Sequence, residues 1–542
     1  LPRGDIEGLK GGEGGLKKAF SSEAKRSPSG WIKILFLLLF FFIISGKSFA
    51  SEYLRVEGVI HLDTNIGGGT FAPEEMVKRV RDAGLKVAVI TDHDNMRVEY
   101  GLPLLRKIIK KSVDKGGIKE YGSKRYIEAI EVLRHRYKDI LILHGAETVP
   151  FYYWEGSPIR KDLTLKNWHK HMLVLGLKNP EDYDGIPSVG FGFPVKFSPN
   201  CIMNLWPVVL FIPGLILLRK KGEKFYHFRS FIIKKKKKSY FISGIIILSS
   251  GTLLLINNFP FCEPLYDQYH GDKGTGPYQF LIDYANEKGA LTFWAHPEVE
   301  SSYKEKAPFG RGIVKLYTPP YYNDLVETRG YTGFAVFEEG YRLLGRPGGL
   351  WDRILKEYCE GKRNSPVWVI GELDYKEGDW MGMTQTVFFL RSFNEEEVLQ
   401  ALRTGRVYAV RGKDKPILED FSLRSSQGKV LMGEQLLSKD GVEVSIRLKF
   451  PETLKGQVKV FLVRNGEIIE TFLAKGDSLI NDPRLSRQVG TGAGFRDSFL
   501  IKYKDDYFKA GERIYYRVMV GGGAIHELPL LITNPIFVRF ER

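Results

Sequence analysis

A chain of 542 residues predicts more than one domain, and its 43% hydrophobic and 27% charged residues are a globular composition. The net charge of +16 first points to nucleic acid, but its placement argues against that reading. Residues 219–239 hold ten Lys or Arg and one Glu, giving +9, and residues 1–33 contribute +3, which leaves +4 elsewhere. Basic residues concentrated beside apolar segments are what membrane topology produces. Three cysteines, Cys201, Cys262 and Cys359, exclude a disulfide framework; Cys201 and Cys262 flank the central apolar segments, where a disulfide is conceivable and free thiols are the plainer expectation.

Residues 1–30 are Gly-rich and charged, without periodicity. Trp31 to Ser45 is strongly apolar, and Ser48-Phe49-Ala50 offers small residues where a signal peptidase reads, so cleavage near Ala50 is favoured over an uncleaved anchor. Val59-Ile60 is a strand running into His61 and Asp63. Pro73, Glu74 and Glu75 open a helix with Met76, Val77, Val80 and Ala83 on one face, and Gly84 ends it. Val87 to Ile90 is a strand ending in Thr91-Asp92-His93-Asp94. Ile127 to Arg136 is helical, and Ile140 to Leu143 is a strand leading to His144 and Glu147. Met172 to Leu175 is a strand preceded by His169 and His171.

Cys201 to Leu218 and Tyr240 to Asn257 carry no charge, and each approaches the length needed to span a bilayer. With the lysine run between them they read as a transmembrane hairpin with a cytoplasmic loop, which puts the flanking domains outside. The α/β pattern then resumes: helix Tyr278 to Glu287, strand Ala290 to Trp294 before His296, strand Gly333 to Phe337 before Glu338 and Glu339, helix Trp351 to Tyr358, and strand Val367 to Ile370 before Asp374. After a last helix, Glu395 to Arg403, strands dominate. Val458 to Val463 and Ile468 to Leu473 flank Asn465-Gly466, a tight-hairpin signal. The expected divisions are a leader with signal peptide or anchor (1–50), a first α/β part (51–198), a transmembrane hairpin (199–260), a second α/β part (261–412) and a β-sandwich (413–542) with loops around the Gly-rich stretch at 490–494.

Four of ten histidines, His61, His93, His171 and His296, lie at or beside predicted strand ends, as do Asp63, Glu147 and Asp374. Repetition on that scale is hard to explain as packing. Imidazoles with carboxylates suit divalent zinc, manganese or iron, and a shared carboxylate can bridge two such ions.

The order His61-Leu62-Asp63, Thr91-Asp92-His93, Gly145-Ala146-Glu147, His171, Ala295-His296-Pro297, Asp374 resembles the polymerase and histidinol phosphatase (PHP) superfamily. Ile532-Thr533-Asn534-Pro535-Ile536 looks like its CehA/McbA-like metallohydrolase branch. The resemblance implies a distorted (β/α)7 barrel, here interrupted by the transmembrane hairpin and followed by the β-sandwich. It implies that His61, Asp63, Glu147 and Asp374 hold one ion and that Glu147, His171 and His296 hold a second, with Glu147 bridging. His93 would belong to a third position or contact the substrate. Three departures stand out. Asp63 replaces a His, Lys376 replaces the His of a last Asp-x-His motif, and glycines 67–69 replace an acidic or His residue. The last two empty a third metal position, so two ions are expected, or one tight and one weak. Lys376 would contact an anionic substrate group or be an ordinary solvated lysine. His144 and His169 are weaker candidates, His270 could lie in a loop over the mouth, and His135, His227 and His526 carry no motif.

Three functions compete. The first is an exported, membrane-anchored hydrolase in which metal-activated water attacks a phosphoester or a related ester or carbamate of a small-molecule or cell-envelope substrate. The second is a non-catalytic membrane protein that keeps a degenerate metal- or ligand-binding site. The third, a nucleic-acid enzyme, conflicts with export.

Overall fold

The computed structural model describes residues 53–195, 197–237, 240–306, 312–337, 339–454, 457–475, 499–522 and 527–541. The expected leader and signal sequence, Glu338, the stretch at 490–494 and His526 lie outside the described residues.

Seven short strands, β1 (Leu54–Leu62), β2 (Val87–Ile90), β3 (Leu141–Thr148), β4 (Met172–Leu175), β5 (Leu291–Trp294), β6 (Gly333–Val336) and β7 (Trp368–Gly371), lie side by side in chain order. β1, β2 and β3 are parallel, β4 runs antiparallel to both its neighbours, and β5, β6 and β7 are parallel. A parallel bridge between Ile60 and Glu372, with Leu373 N donating to Ile60 O at 2.9 Å, brings the chain after β7 back to β1.

Successive residues of a strand point to opposite faces, and here the two faces feed two cores. Ile60, Val87, Val89, Leu141, Leu143, Leu173, Leu175, Phe293 and Ile370 pack on one side. Val59, Ala88, Ile90, Ile142, Val174, Trp294, Phe334 and Val369 pack on the other, against helices. Those helices are α1 (Pro73–Asp82), α2 (Ser123–Arg136), α3 (Gly276–Glu287) and α4 (Leu350–Cys359). They bury the stripes Met76-Val77-Val80, Tyr126-Ile130-Leu133, Leu281-Ile282-Ala285 and Trp351-Ile354-Leu355. α5 (Glu395–Thr404) starts on the Asn394 side chain, which accepts from Glu397 N, and stops at Gly405 with φ 74°. Its Val398, Ala401 and Leu402 close one end of the first core. Arg403 there donates to Gly289 O, just ahead of β5. The C-terminal ends of the parallel strands lie at the other end.

The strands β8 (Thr384–Leu390) and β9 (Val407–Arg411) were not legible in the sequence. β8 pairs antiparallel with β1 and β9 with β8, and the sheet continues through Leu531–Thr533 and Arg513–Gly521 to the hairpin Gln457–Arg464/Glu467–Lys475. Asn465 (φ 48°) and Gly466 (φ 82°) form that hairpin's two-residue turn, as their pairing predicts. A second sheet, Ile417–Ser425, Gly428–Leu431, Val442–Lys449 and Phe499–Asp505, shares a core with it through Leu418, Val444, Ile446, Val460, Leu462 and Val518.

Asn534 ties this tail to β7. Its Oδ1 accepts from Val369 N (2.8 Å), and its Nδ2 donates to Val369 O (3.1 Å) and Val407 O (2.8 Å), all buried. Asn534→Ala strands a buried N–H and two carbonyls, so urea denaturation is expected to show a loss of about 2–3 kcal/mol.

Cys201–Arg219 and Phe241–Asn258 are helical segments long and apolar enough to cross a membrane, each only 17% buried. Pro207 and Pro213 lie in the first, whose middle is a 3-10 turn over Trp206–Leu210. The two segments touch through small residues: Gly214 lies against Leu248, Gly244 against Leu218, and Gly251 against Phe211. Between them the expected loop is instead a β-hairpin, Gly222–Phe228 with Phe231–Lys237. Cys201 and Cys262 form a disulfide, Cα–Cα 4.6 Å, correcting the expectation of free thiols there; Cys359 is free.

A candidate metal centre at the strand ends

The strands deliver their polar ends to one place. A bulge between Ile60 and Leu62 turns His61 out of the β1 ladder. His61 (φ 73°), His296 (φ 29°) and Asp374 (φ 42°) all hold left-handed backbone. Such conformations cost non-glycine residues on the order of 1 kcal/mol each, and they gather where a site needs side chains aimed. β4 runs against its neighbours, which is why His171 precedes its strand while the other candidates lie at or just beyond the C-terminal ends of theirs.

Glu147 is the centre. Its Oε2 lies 3.1 Å from His61 Nε2 and 3.0 Å from His93 Nε2; its Oε1 contacts His171 Nδ1 and lies 3.7 Å from His296 Nε2. His93, Glu147 and His171 bring ligand atoms within 4.8 Å of one another, and so do His61, Asp63 and Asp374. His93, expected at a third position or on the substrate, thus sits with Glu147 and His171. Its parallel bridge to Glu147 keeps the β2–β3 register three residues beyond the Ile90–His144 pair and puts it there.

The hydrogen-bond partners fix the rings. Glu372 accepts from His61 Nδ1 at 2.7 Å. The Trp168 carbonyl accepts from His171 Nε2 at 3.1 Å. Tyr321 OH gives its proton to Ala295 O and lies 3.1 Å from His296 Nδ1, so that ring nitrogen donates. Each ring therefore directs one N–H outward and turns its other nitrogen inward. His171 Nδ1 and His296 Nε2 then face each other at 3.1 Å. Two lone pairs at that separation repel unless a proton or a metal ion lies between them. Asp63 Oδ1 and Glu372 Oε2 are buried without hydrogen-bond partners, and His61 Nε2 faces Glu147 Oε2 without hydrogen-bond geometry. Unmet buried atoms of this kind mark an ion, and imidazoles with carboxylates are donors for divalent zinc, manganese or iron. The residues fit such a group.

Burial would raise the Glu147 carboxyl, but His171, His61 and His93 outweigh it and hold it well below the usual range. Burial, reinforced by Glu147, pushes Asp63 well up. Burial likewise lifts Glu339 to about 7, with Glu372 adding to the effect.

Other sequence candidates find different work. Lys376 Nζ lies 3.1 Å from Asp374 Oδ2 and its side chain is 74% exposed, on the wall of a cavity of about 330 Å³ shared with Glu339, Glu372, Asp374, Trp380 and Arg411. Asp92 accepts from Thr64 N, Thr64 Oγ1 and Gly67 N, pinning the loop after β1. A Cβ at Gly67 would come within 2.3 Å of His93 N, so glycine there is a packing requirement. His144, on the opposite strand face from Glu147, meets the Tyr183 hydroxyl at 2.6 Å away from the cluster. His169 packs beside His171, ring centroids 5.5 Å apart. His270 pairs with Asp267 near Glu263, at the foot of the apolar helices. Sequence reasoning missed two residues. Glu372 could have been found from its placement two positions before Asp374 at the same strand end; Tyr321 carries no local signal.

The fold and the cluster together define an α/β protein with a candidate divalent-metal centre at its strand ends. No family model and no curated protein matches the chain. Among solved structures it is similar to a two-domain protein containing a predicted PHP-like metal-dependent phosphoesterase from Bacteroides vulgatus ATCC 8482, at 12% identity over 89% of this chain and 96% of that one, TM-score 0.33. It is also similar to a protein from Bifidobacterium adolescentis ATCC 15703 assigned by inference as a metal-dependent phosphoesterase, at 14% identity over 59% and 87%, TM-score 0.23. Similarity at that level carries no step of the functional argument.

Proposed function

We propose that the chain is a membrane-anchored, extracytoplasmic metal-dependent hydrolase of the PHP type, in the CehA/McbA-like branch, acting on a phosphoester or a related ester or carbamate. The proposed architecture is a distorted seven-stranded barrel over 51–198 and 261–412, interrupted by the hairpin at 199–260 and followed by a β-sandwich at 413–542. The observation that carries the reading is the inward-facing pair His171 Nδ1 and His296 Nε2, 3.1 Å apart over Glu147.

His61, Asp63, Asp374 and Glu147 would hold one divalent ion; Glu147, His93, His171 and His296 would hold a second. Bound there, such ions supply Lewis-acid polarisation and a more acidic water. The chain supplies orientation. Glu372, the Trp168 carbonyl and Tyr321 each fix one imidazole so that its free nitrogen points inward. Lys376 and Arg411 place positive charge on the adjoining cavity wall, where an anionic ester group would rest. The Cys201–Cys262 disulfide suits an oxidising compartment and so supports export.

One observation favours a second reading, a site that binds ions without turnover: Lys376 already pairs with Asp374. Purified protein is expected to carry one or two divalent metals and to hydrolyse a generic phosphomonoester, phosphodiester or ester, with activity lost to chelator and restored by metal. Bound metal with no turnover across the panel would move the conclusion to the second reading. Protein with no metal affinity at all would sink both.

A further inference from the structure

Residues 222–237 form a hairpin whose strands, Gly222–Phe228 and Phe231–Lys237, pair only with each other among the described residues. Phe225, Tyr226, Phe228, Phe231, Ile232 and Ile233 are each between 39% and 60% exposed. A lone two-stranded hairpin is marginal in water, and apolar side chains gathered on a surface mark a contact site. The register sorts the faces. Tyr226 lies opposite Ile233 and Phe228 opposite Phe231, so these four share one face, with the two Phe rings stacked 5.1 Å apart. Lys224 and Lys235 continue that face toward the base. The other face is mixed, with Phe225 opposite Lys234, His227 opposite Ile232 and Glu223 opposite Lys236.

The base of the hairpin is where the two apolar helices end, at Arg219 and Phe241. Residues 219–237 hold nine Lys or Arg against one Glu. Apolar side chains at the tip and cations at the base, on one face, next to two apolar helices, match the profile of a bilayer surface bearing negative headgroups. A soluble protein face or a nucleic acid would not account for both the aromatic face and its attachment to those helices.

We propose that this hairpin lies on the bilayer and binds anionic lipid headgroups. Tyr226, Phe228, Phe231 and Ile233 enter the headgroup–acyl boundary, and the lysines at the base meet phosphates. The inference rests on the transmembrane reading of residues 199–260, and its test separates the two. Full-length Phe228→Trp protein is placed in nanodiscs of brominated phosphatidylcholine, alone or mixed with brominated phosphatidylglycerol, and its emission is compared with that of the unsubstituted chain. The added tryptophan is expected to be blue-shifted and quenched in the anionic discs. Lys224→Gln and Lys235→Gln together, the lysines on the membrane-facing side of the hairpin, are expected to reduce that interfacial population by about tenfold or more. Hydrogen exchange of residues 241–258 in the same discs reports membrane insertion independently. Protection there, with the introduced tryptophan left unquenched, overturns the hairpin proposal alone. Quenching that ignores both phosphatidylglycerol and the lysines overturns its anionic-lipid assignment. Free exchange at 241–258 overturns the transmembrane reading and the hairpin proposal with it.

Discussion

Glu147→Gln is expected to abolish the binding of at least one divalent ion and to lower affinity for the other by more than about 100-fold. Losing a residue that merely orients a ligand costs 10–100-fold in affinity. Glu147 does more, because its two oxygens face four imidazoles, those of His61, His93, His171 and His296. Glutamine keeps the volume, so packing around this buried side chain is preserved. It loses the negative charge and one of the two oxygens, and its amide nitrogen repels a cation. The check is metal content after dialysis against a fixed free-metal concentration, paired with thermal melting. At metal 100-fold above the dissociation constant, the unsubstituted protein gains about 2.7 kcal/mol from binding; the variant is expected to gain close to none. A Glu147→Gln protein that retains its full metal complement would remove the bridging carboxylate from the proposed centre.

Glu147 was legible because strand-end placement is visible in one dimension. An apolar run such as Ile140 to Leu143 followed by His-Gly-Ala-Glu announces both the strand and the residues at its mouth. The same logic reached His61, His296 and Asp374, which the structure brings together. Strand parity alone does not choose between His144 and Glu147, because β3 is buried on both faces and leaves no alternation to read; the motif resemblance is what ranks Glu147 first. His93 was expected at a third position or on the substrate, and its step beside Glu147 and His171 is a tertiary pairing that no local pattern announces. Glu372 was passed over because a carboxylate takes its role here from a ring more than 300 positions away. β8 and β9 were not legible for a related reason: only the pairing of Thr384 to Leu390 and Val407 to Arg411 with β1 and with each other makes them part of the sheet. The lysine run was legible as charge beside apolar segments, yet its strands were hidden because Lys-rich sequence carries little strand signal.

Asp352→Ala is expected to cost about 3–5 kcal/mol of stability, the range for stranding one partner of a buried ion pair. Arg517 is completely buried. Its Nε reaches Asp352 Oδ1 at 2.9 Å and its Nη2 reaches Oδ2 at 2.6 Å, while Trp351 stacks on the guanidinium at 4.8 Å. Asp352 also accepts from Gly348 N and from the Tyr515 hydroxyl, each at 2.8 Å. Alanine leaves a full positive charge without a counter-charge in a dry interior, plus an unmet Gly348 amide and a Tyr515 hydroxyl left with only the residue 352 carbonyl at 3.3 Å. Urea denaturation followed by tryptophan emission measures the loss. Combining Asp352→Ala with Arg517→Met removes the stranded charge, so the double variant is expected to regain a substantial part of it. A cost below about 1 kcal/mol for the single variant would mean that water reaches Arg517. The pair joins α4 to the strand Arg513–Gly521 of the tail, and α4 leads directly into β7, whose end carries Glu372 and Asp374. Metal affinity of folded Asp352→Ala protein therefore tests something separate from stability. If it falls while the protein remains folded, the tail strands help to set the geometry of the centre; if it is unchanged, they only hold the chain together.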